Sequence, residues 1–149
     1  MEKMQFNITI NATPAKVWAA LWEDKKYREW TSVFAPGSWA DTDWKKGSKV
    51  LFLDGKNEGM TSVIEENIPN EFMSIKHLGT VLKGVEYFDR PEDKVWAGAH
   101  ENYRLRANGN KTDLHIELES QGMDPKMREY FEDAWPKALD KLTEVAERT

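Results

Sequence analysis

Phe6, Ile8 and Ile10 alternate with Gln5, Asn7 and Thr9, a period of two that predicts a strand with one face on a core. The period then changes. Thr13 before Pro14 pairs an N-cap hydroxyl with a proline at the first helical position, and Val17, Trp18, Leu21 and Trp22 recur at helical spacing. Asp24 is placed to cap a second short helix carrying Tyr27 and Trp30. Phe34-Ala35-Pro36-Gly37-Ser38 breaks the pattern with turn chemistry, and short strands are expected around 38–44 and 48–54. Strands over 60–67 and 71–78 meet at Ile68-Pro69-Asn70, where the proline holds Ile68 extended and stops the strand.

Residues 80–93 read as a long loop with room for one helical turn, because Gly79 and Gly84 bracket two apolar residues and Asp89-Arg90-Pro91-Glu92-Asp93 is a charged turn. Strands over 95–107 and 111–120 flank Asn108-Gly109, a favoured type I′ sequence. That turn predicts a register of Ala107 with Asn110, Leu105 with Thr112, Tyr103 with Leu114, Glu101 with Ile116 and Ala99 with Leu118. Asp124 and Pro125 open a terminal helix of about six turns. Met127, Tyr130, Phe131, Ala134, Trp135, Ala138, Leu142, Val145 and Ala146 form its apolar stripe, and Pro136 inside it predicts a kink.

This order implies an α+β architecture: a curved antiparallel sheet of six to seven strands wrapped around a long C-terminal helix, with two short helices after the first strand. A length of 149 residues, 40% of them hydrophobic, fits one domain over 1–149 that buries a core without metal or disulfide staples. The absence of cysteine removes a disulfide framework, a thiolate metal site and a cysteine nucleophile together. A net charge of −5 offers no global positive field, so nucleic acid and anionic membranes are disfavoured partners. No apolar run approaches the roughly 20 residues of a membrane span, and no signal peptide is read, so a cytoplasmic protein is expected.

The opening run Ile8-Thr9-Ile10-Asn11-Ala12-Thr13-Pro14-Ala15-Lys16-Val17-Trp18-Ala19-Ala20-Leu21, followed by Trp30, resembles the SRPBCC superfamily. So does Trp135-Pro136-Lys137-Ala138-Leu139-Asp140-Lys141-Leu142. The superfamily is also called START-like or Bet v 1-like, and its fold is the helix-grip. Within it the chain looks most like the branch named for the activator of heat-shock protein 90 ATPase. The resemblance implies a fold more than a function, since members variously bind lipids or hormones, act as cyclases, or serve as co-chaperones.

No hydrolase, metalloprotease, NTPase or dinucleotide motif is present, and His77, His100 and His115 lack metal-ligand spacing, so neither a metal nor another cofactor is expected. The hairpin register puts Glu101 and Tyr103 on the face of Leu114, Ile116 and Leu118. A carboxylate there needs a partner such as an arginine, a histidine or a ligand group. His77 shares a strand face with Met73 and Ile75. Were Glu101, His77 and Tyr103 to converge they would supply an acid, a base and a hydroxyl for cyclase or hydratase chemistry.

The preferred reading is non-catalytic: a hydrophobic small molecule held between sheet and terminal helix by Ile75, His77, Glu101, Tyr103, Leu114, Ile116, Phe131, Trp135 and Leu139. Segments 34–38 and 80–89 would gate the cavity. The alternative is a co-chaperone-like domain for a heat-shock protein 90 type ATPase. Among the seven tryptophans, Trp39 and Trp44, flanked by charges, are candidates for a rim or interface.

Overall fold

In a computed structural model that describes residues 2–148, the chain begins with strand β1 (Glu2–Ile10), followed by helices α1 (Pro14–Trp22) and α2 (Asp24–Thr31). Strands β2 (Trp39–Asp41), β3 (Lys49–Leu53), β4 (Gly59–Ile68), β5 (Phe72–Leu82) and β6 (Val85–Tyr87) come next. A single helical turn α3 (Pro91–Lys94) leads to β7 (His100–Asn108), β8 (Lys111–Ser120) and the terminal helix α4 (Pro125–Glu147). The strands form one antiparallel, curved eight-stranded sheet in the order β1-β8-β7-β5-β4-β3-β2, with β6 pairing β5 from off that path. With the long C-terminal helix on its concave side and two short helices after β1, this is the helix-grip fold.

The helix starts follow from their caps. The Thr13 hydroxyl accepts from Lys16 N at 3.3 Å ahead of Pro14, and the Asp124 carboxylate accepts from Met127 N at 2.8 Å ahead of Pro125. Asp24 turns out to be the first residue of α2, with Glu23 at the cap position and no side-chain bond there. Pro136 lies within the continuous span of α4. Val17, Leu21, Trp30, Ile64, Ile75, Ile116 and Leu142 are among the fully enclosed core side chains.

The segment expected to be a loop over 80–93 is more ordered than its sequence suggests. Strand β5 runs on to Leu82 and turns back as β6, because Gly79 lets the Tyr87 carbonyl approach where any Cβ would collide. The segment is pinned by Asp93, which accepts from Arg90 Nε and Nη2 at 2.9 Å and from the Thr80 hydroxyl. Arg90 also lies over the Tyr87 ring, 4.0 Å from its centroid.

The β7–β8 register differs from expectation by two residues. Asn108 pairs with Lys111, so Leu105 faces Leu114, Tyr103 faces Ile116 and Glu101 faces Leu118. The two loop residues are Gly109 and Asn110, with φ of 63° at Gly109 and positive φ at neither asparagine, the pattern of a type II′ turn. Moving the turn by one residue moves the pairing by two. An even shift leaves every side chain on its expected face.

Candidate functional site

The site is assembled where β4, β5 and β7 lie side by side. Ser62 on β4 is directly opposite His77 on β5, and Ile75, two residues before His77, is opposite Glu101 on β7. Tyr103 lies two residues beyond Glu101 and therefore on the same face of β7. Leu78 is an extra residue in β5 between the pairs Thr61–Gly79 and Ser62–His77, a bulge beside the histidine. Past it, His77 N and O bond to Ala99 O at 2.8 Å and Gly98 N at 2.9 Å, before regular β7 pairing begins.

These placements bring the polar side chains together. Ser62 Oγ is 2.6 Å from His77 Nδ1, His77 Nε2 is 3.1 Å from Glu101 Oε1, and the Tyr103 hydroxyl donates to Glu101 Oε2. Ser62 is wholly enclosed and His77 is 3% exposed, whereas the Glu101 side chain is 19% exposed. The acid is thus the accessible member of the chain. Burial is the main cause that pushes the Tyr103 hydroxyl well above the ordinary phenol range, aided by the Glu101 charge and by its hydrogen bond to Glu101. Tyr27, on α2, is raised by burial first and by Glu101 second.

A cavity of about 330 Å³ opens beside this cluster. Of the nine residues expected to hold a ligand, His77, Glu101, Tyr103, Phe131 and Trp135 line it. Ile75, Leu114, Ile116 and Leu139 do not: they are buried at 0–5% exposure in the close-packed core. They share the inward faces of the sheet and helix, but lie where the two layers are in contact rather than apart.

Further wall residues lie outside those nine, and among them Phe34 belongs to the expected gate over 34–38. Tyr27, Trp30 and Phe34 enter from α2 and its C-terminal turn, Phe52 from β3, and Trp96 from the turn after α3. Their rings interlock: Trp96 lies edge-on to both His77 and Phe131, with centroids 6.3 and 6.0 Å apart, and Phe34 lies 4.9 Å from Trp135. Of the two expected gates, Phe34, Ala35 and Ser38 do line the cavity, whereas 80–89 is taken up by β5, β6 and the Asp93 anchorage and does not.

Trp39 lines the cavity and carries the Arg28 guanidinium 5.2 Å from its ring. Trp44, the other rim candidate, instead packs inward on Trp22, 4.7 Å away, with its own backbone at φ 62°. The Trp44 carbonyl accepts from Asn67 Nδ2 at 2.8 Å. Among the described residues no three His, Asp or Glu side chains gather closely enough to hold a metal ion, and no helix is long and apolar enough to cross a membrane.

Residues 11–147 match the family described as activator of Hsp90 ATPase homolog 1-like protein. No curated protein matches the chain. Solved structures similar in fold include protein MLL2253 from Mesorhizobium loti, 19% identical, with a TM-score of 0.74 over 99% of this chain and 98% of that one. The Aha1 dimer from Colwellia psychrerythraea is also 19% identical, with a TM-score of 0.71 over 99% and 97% of the two chains. CalU16 from Micromonospora echinospora is 18% identical, with a TM-score of 0.68 over 97% of this chain and 76% of its own.

Proposed function

The chain belongs to the family of activator of Hsp90 ATPase homolog 1-like proteins, a branch of the SRPBCC type, and from that premise we propose that it binds a hydrophobic, ring-bearing small molecule between the curved sheet and α4. The observation that carries this reading is the cavity: about 330 Å³, walled by aromatic side chains, with Glu101, His77 and Tyr103 as convergent polar groups. Ligand sites combine an apolar enclosure of at least about 300 Å³ with a few fixed polar groups that set orientation.

The test is a titration with N-phenyl-1-naphthylamine, a neutral fluorescent probe of apolar cavities, alongside thermal unfolding. Saturable enhancement at one site per chain, with a rise in unfolding temperature by mass action, is the expected result. Ala99, 3% exposed in the cavity wall, supplies the control. Ala99→Met fills part of the space and should weaken the probe roughly tenfold or more while the circular dichroism spectrum stays native. Absence of saturation, or full affinity in a folded Ala99→Met protein, would remove the cavity as a binding site.

The convergence of Glu101, His77 and Tyr103 favours one second reading, cyclase- or hydratase-type proton transfer, with the Glu101 carboxylate as base, oriented by the bonds it accepts from Tyr103 and His77. Glu101→Gln would then abolish turnover of any substrate found without abolishing its binding. The family's name points instead to an Hsp90-type ATPase as partner. Co-precipitation with such a chaperone together with a changed ATP turnover rate would move the function from the cavity to the surface.

A further inference from the structure

The wall of the cavity carries a charge preference. Among the described residues no lysine or arginine lines it, whereas Glu101 is in its wall and Asp54 and Glu58 are at the β3–β4 turn on its rim. Glu119 and His100 also border it, but strand alternation turns both side chains to the outer face, where His100 meets Glu65 at 2.9 Å.

The hydrogen-bond chain behind Glu101 assigns the protons. Ser62 is fully buried, and among the described residues its hydroxyl has no acceptor other than His77 Nδ1, 2.6 Å away. An enclosed hydroxyl that donates to nothing is costly, so its hydrogen goes to Nδ1. The imidazole's own hydrogen is then on Nε2 and is donated to Glu101 Oε1. In this arrangement the histidine is neutral and does not cancel the carboxylate. Each Glu101 oxygen has accepted one bond, from His77 or Tyr103, and each retains a lone pair for a further donor.

Tyr103 and Tyr27 interact directly with that carboxylate, the rings of Phe52 and Trp96 flank its partner His77 at 6.0 and 6.3 Å in the same cavity, and aromatic faces attract a desolvated cation. The described residues place a protein cation over only one ring of the cavity, Arg28 over the half-buried Trp39.

We propose that the occupant is a protonated organic amine with an aromatic or alicyclic body, its ammonium group held between Glu101 and the surrounding rings. The inference rests on the cavity-binding reading and adds the charge of the ligand. Neutral isosteres lose the charge-assisted hydrogen bond to Glu101 and the ring attraction, and carboxylates meet Glu101 as a like charge.

The test displaces N-phenyl-1-naphthylamine at pH 7 with three molecules of one shape: 1-naphthylmethylamine, 1-naphthylmethanol and 1-naphthoate. The amine should bind at least about tenfold more tightly than the alcohol, and the naphthoate more weakly than either. Glu101→Gln should bring the amine-to-alcohol ratio to within roughly threefold. The ranking in the unmodified protein decides the matter even where that variant does not fold. With the probe bound, an amine no better than the alcohol, or a naphthoate that matches it, overturns the cation assignment and leaves cavity binding standing. A tenfold ratio that survives in folded Glu101→Gln also overturns it, because Glu101 is then not the recognising group. Failure of the probe itself to bind removes both readings together.

Discussion

His77→Phe keeps a ring between Phe52 and Trp96, whose centroids are 6.0 and 6.3 Å from the imidazole, and deletes both hydrogen bonds of the chain from Ser62 to Glu101. Two costs follow. The Ser62 hydroxyl, with no exposed surface, loses its acceptor, which costs about 1–3 kcal/mol. Glu101 loses one of its two donors, a charge-assisted bond of about 1.5–3 kcal/mol that cavity water partly replaces because the side chain is 19% exposed. His77→Phe should therefore lose about 2–5 kcal/mol in urea unfolding. Ser62→Ala alone should lose about 1–3 kcal/mol, since it leaves Nδ1 without its donor. The double variant removes the orphaned hydroxyl as well, so its loss should fall short of the sum by about 1–2 kcal/mol. Four urea midpoints measured at a common slope give that coupling directly. Additivity within about 0.5 kcal/mol would refute the reasoning, because two residues that truly share a buried hydrogen bond do not act independently.

Asp93 gives a pH test: the Arg90 side chain chiefly, with the Thr80 hydroxyl and the Arg90 backbone N–H, holds its carboxyl at about 2, below its ordinary value of 3.8. A folded-state pKa below the unfolded one means stabilisation that is full above about pH 4 and lost as pH falls through about 2, so the urea-midpoint gap between the protein and Asp93→Asn should be largest at pH 7 and shrink towards pH 2. A gap that stays constant with pH would show that the carboxylate charge is not what pins the 80–94 segment. Ser120→Ala removes a hydroxyl that has no partner among the described residues, so the free protein should unfold at the same urea concentration or a slightly higher one, a gain of about 0–1 kcal/mol. A loss beyond about 1 kcal/mol would reveal a hydrogen bond at that oxygen.

The elements most legible in the sequence are those with local chemistry at their ends. Asp124-Pro125 and Thr13-Pro14 start helices because a side-chain acceptor and a missing N–H solve the same terminal problem. The β7–β8 turn was legible only to within one residue, since Asn108-Gly109 and Gly109-Asn110 are both turn sequences and the choice between them depends on packing along the whole hairpin. Parity rescued the site: Glu101 and Tyr103 face inward in either register. Ser62 carried no signal. A serine in a strand reads as neutral filler, and its role appears only once β4 is laid against β5 with Leu78 bulged out. Tyr27 and Trp96 were equally silent, because both come from segments whose local pattern does not say what they fold over.

The division of the inward face into core and cavity has its source along α4. Its second half presents Ala138, Leu142, Val145 and Ala146, all within 3% of complete burial, and small residues in this row let the helix lie close on its neighbours. That end is fastened: Arg148 Nη2 reaches Glu29 on α2 at 2.8 Å, and Glu147 accepts from Asn11 N at 3.0 Å. The first half presents the larger rings of Tyr130, Phe131 and Trp135, which line the cavity. The Tyr130 hydroxyl donates to the Phe34 carbonyl at 2.6 Å, tying this end of the helix to the turn at the cavity's edge. The same even spacing of residues thus produces two environments, because side-chain size rather than polarity changes along the stripe. A pattern of hydrophobic positions records which face is inward, and Leu139, Leu114 and Ile116 were assigned to the cavity on that basis alone. What separates them from Phe131 and Trp135 is how the facing side chains fill the space between the layers, which the volumes of those residues fix jointly and no single segment encodes.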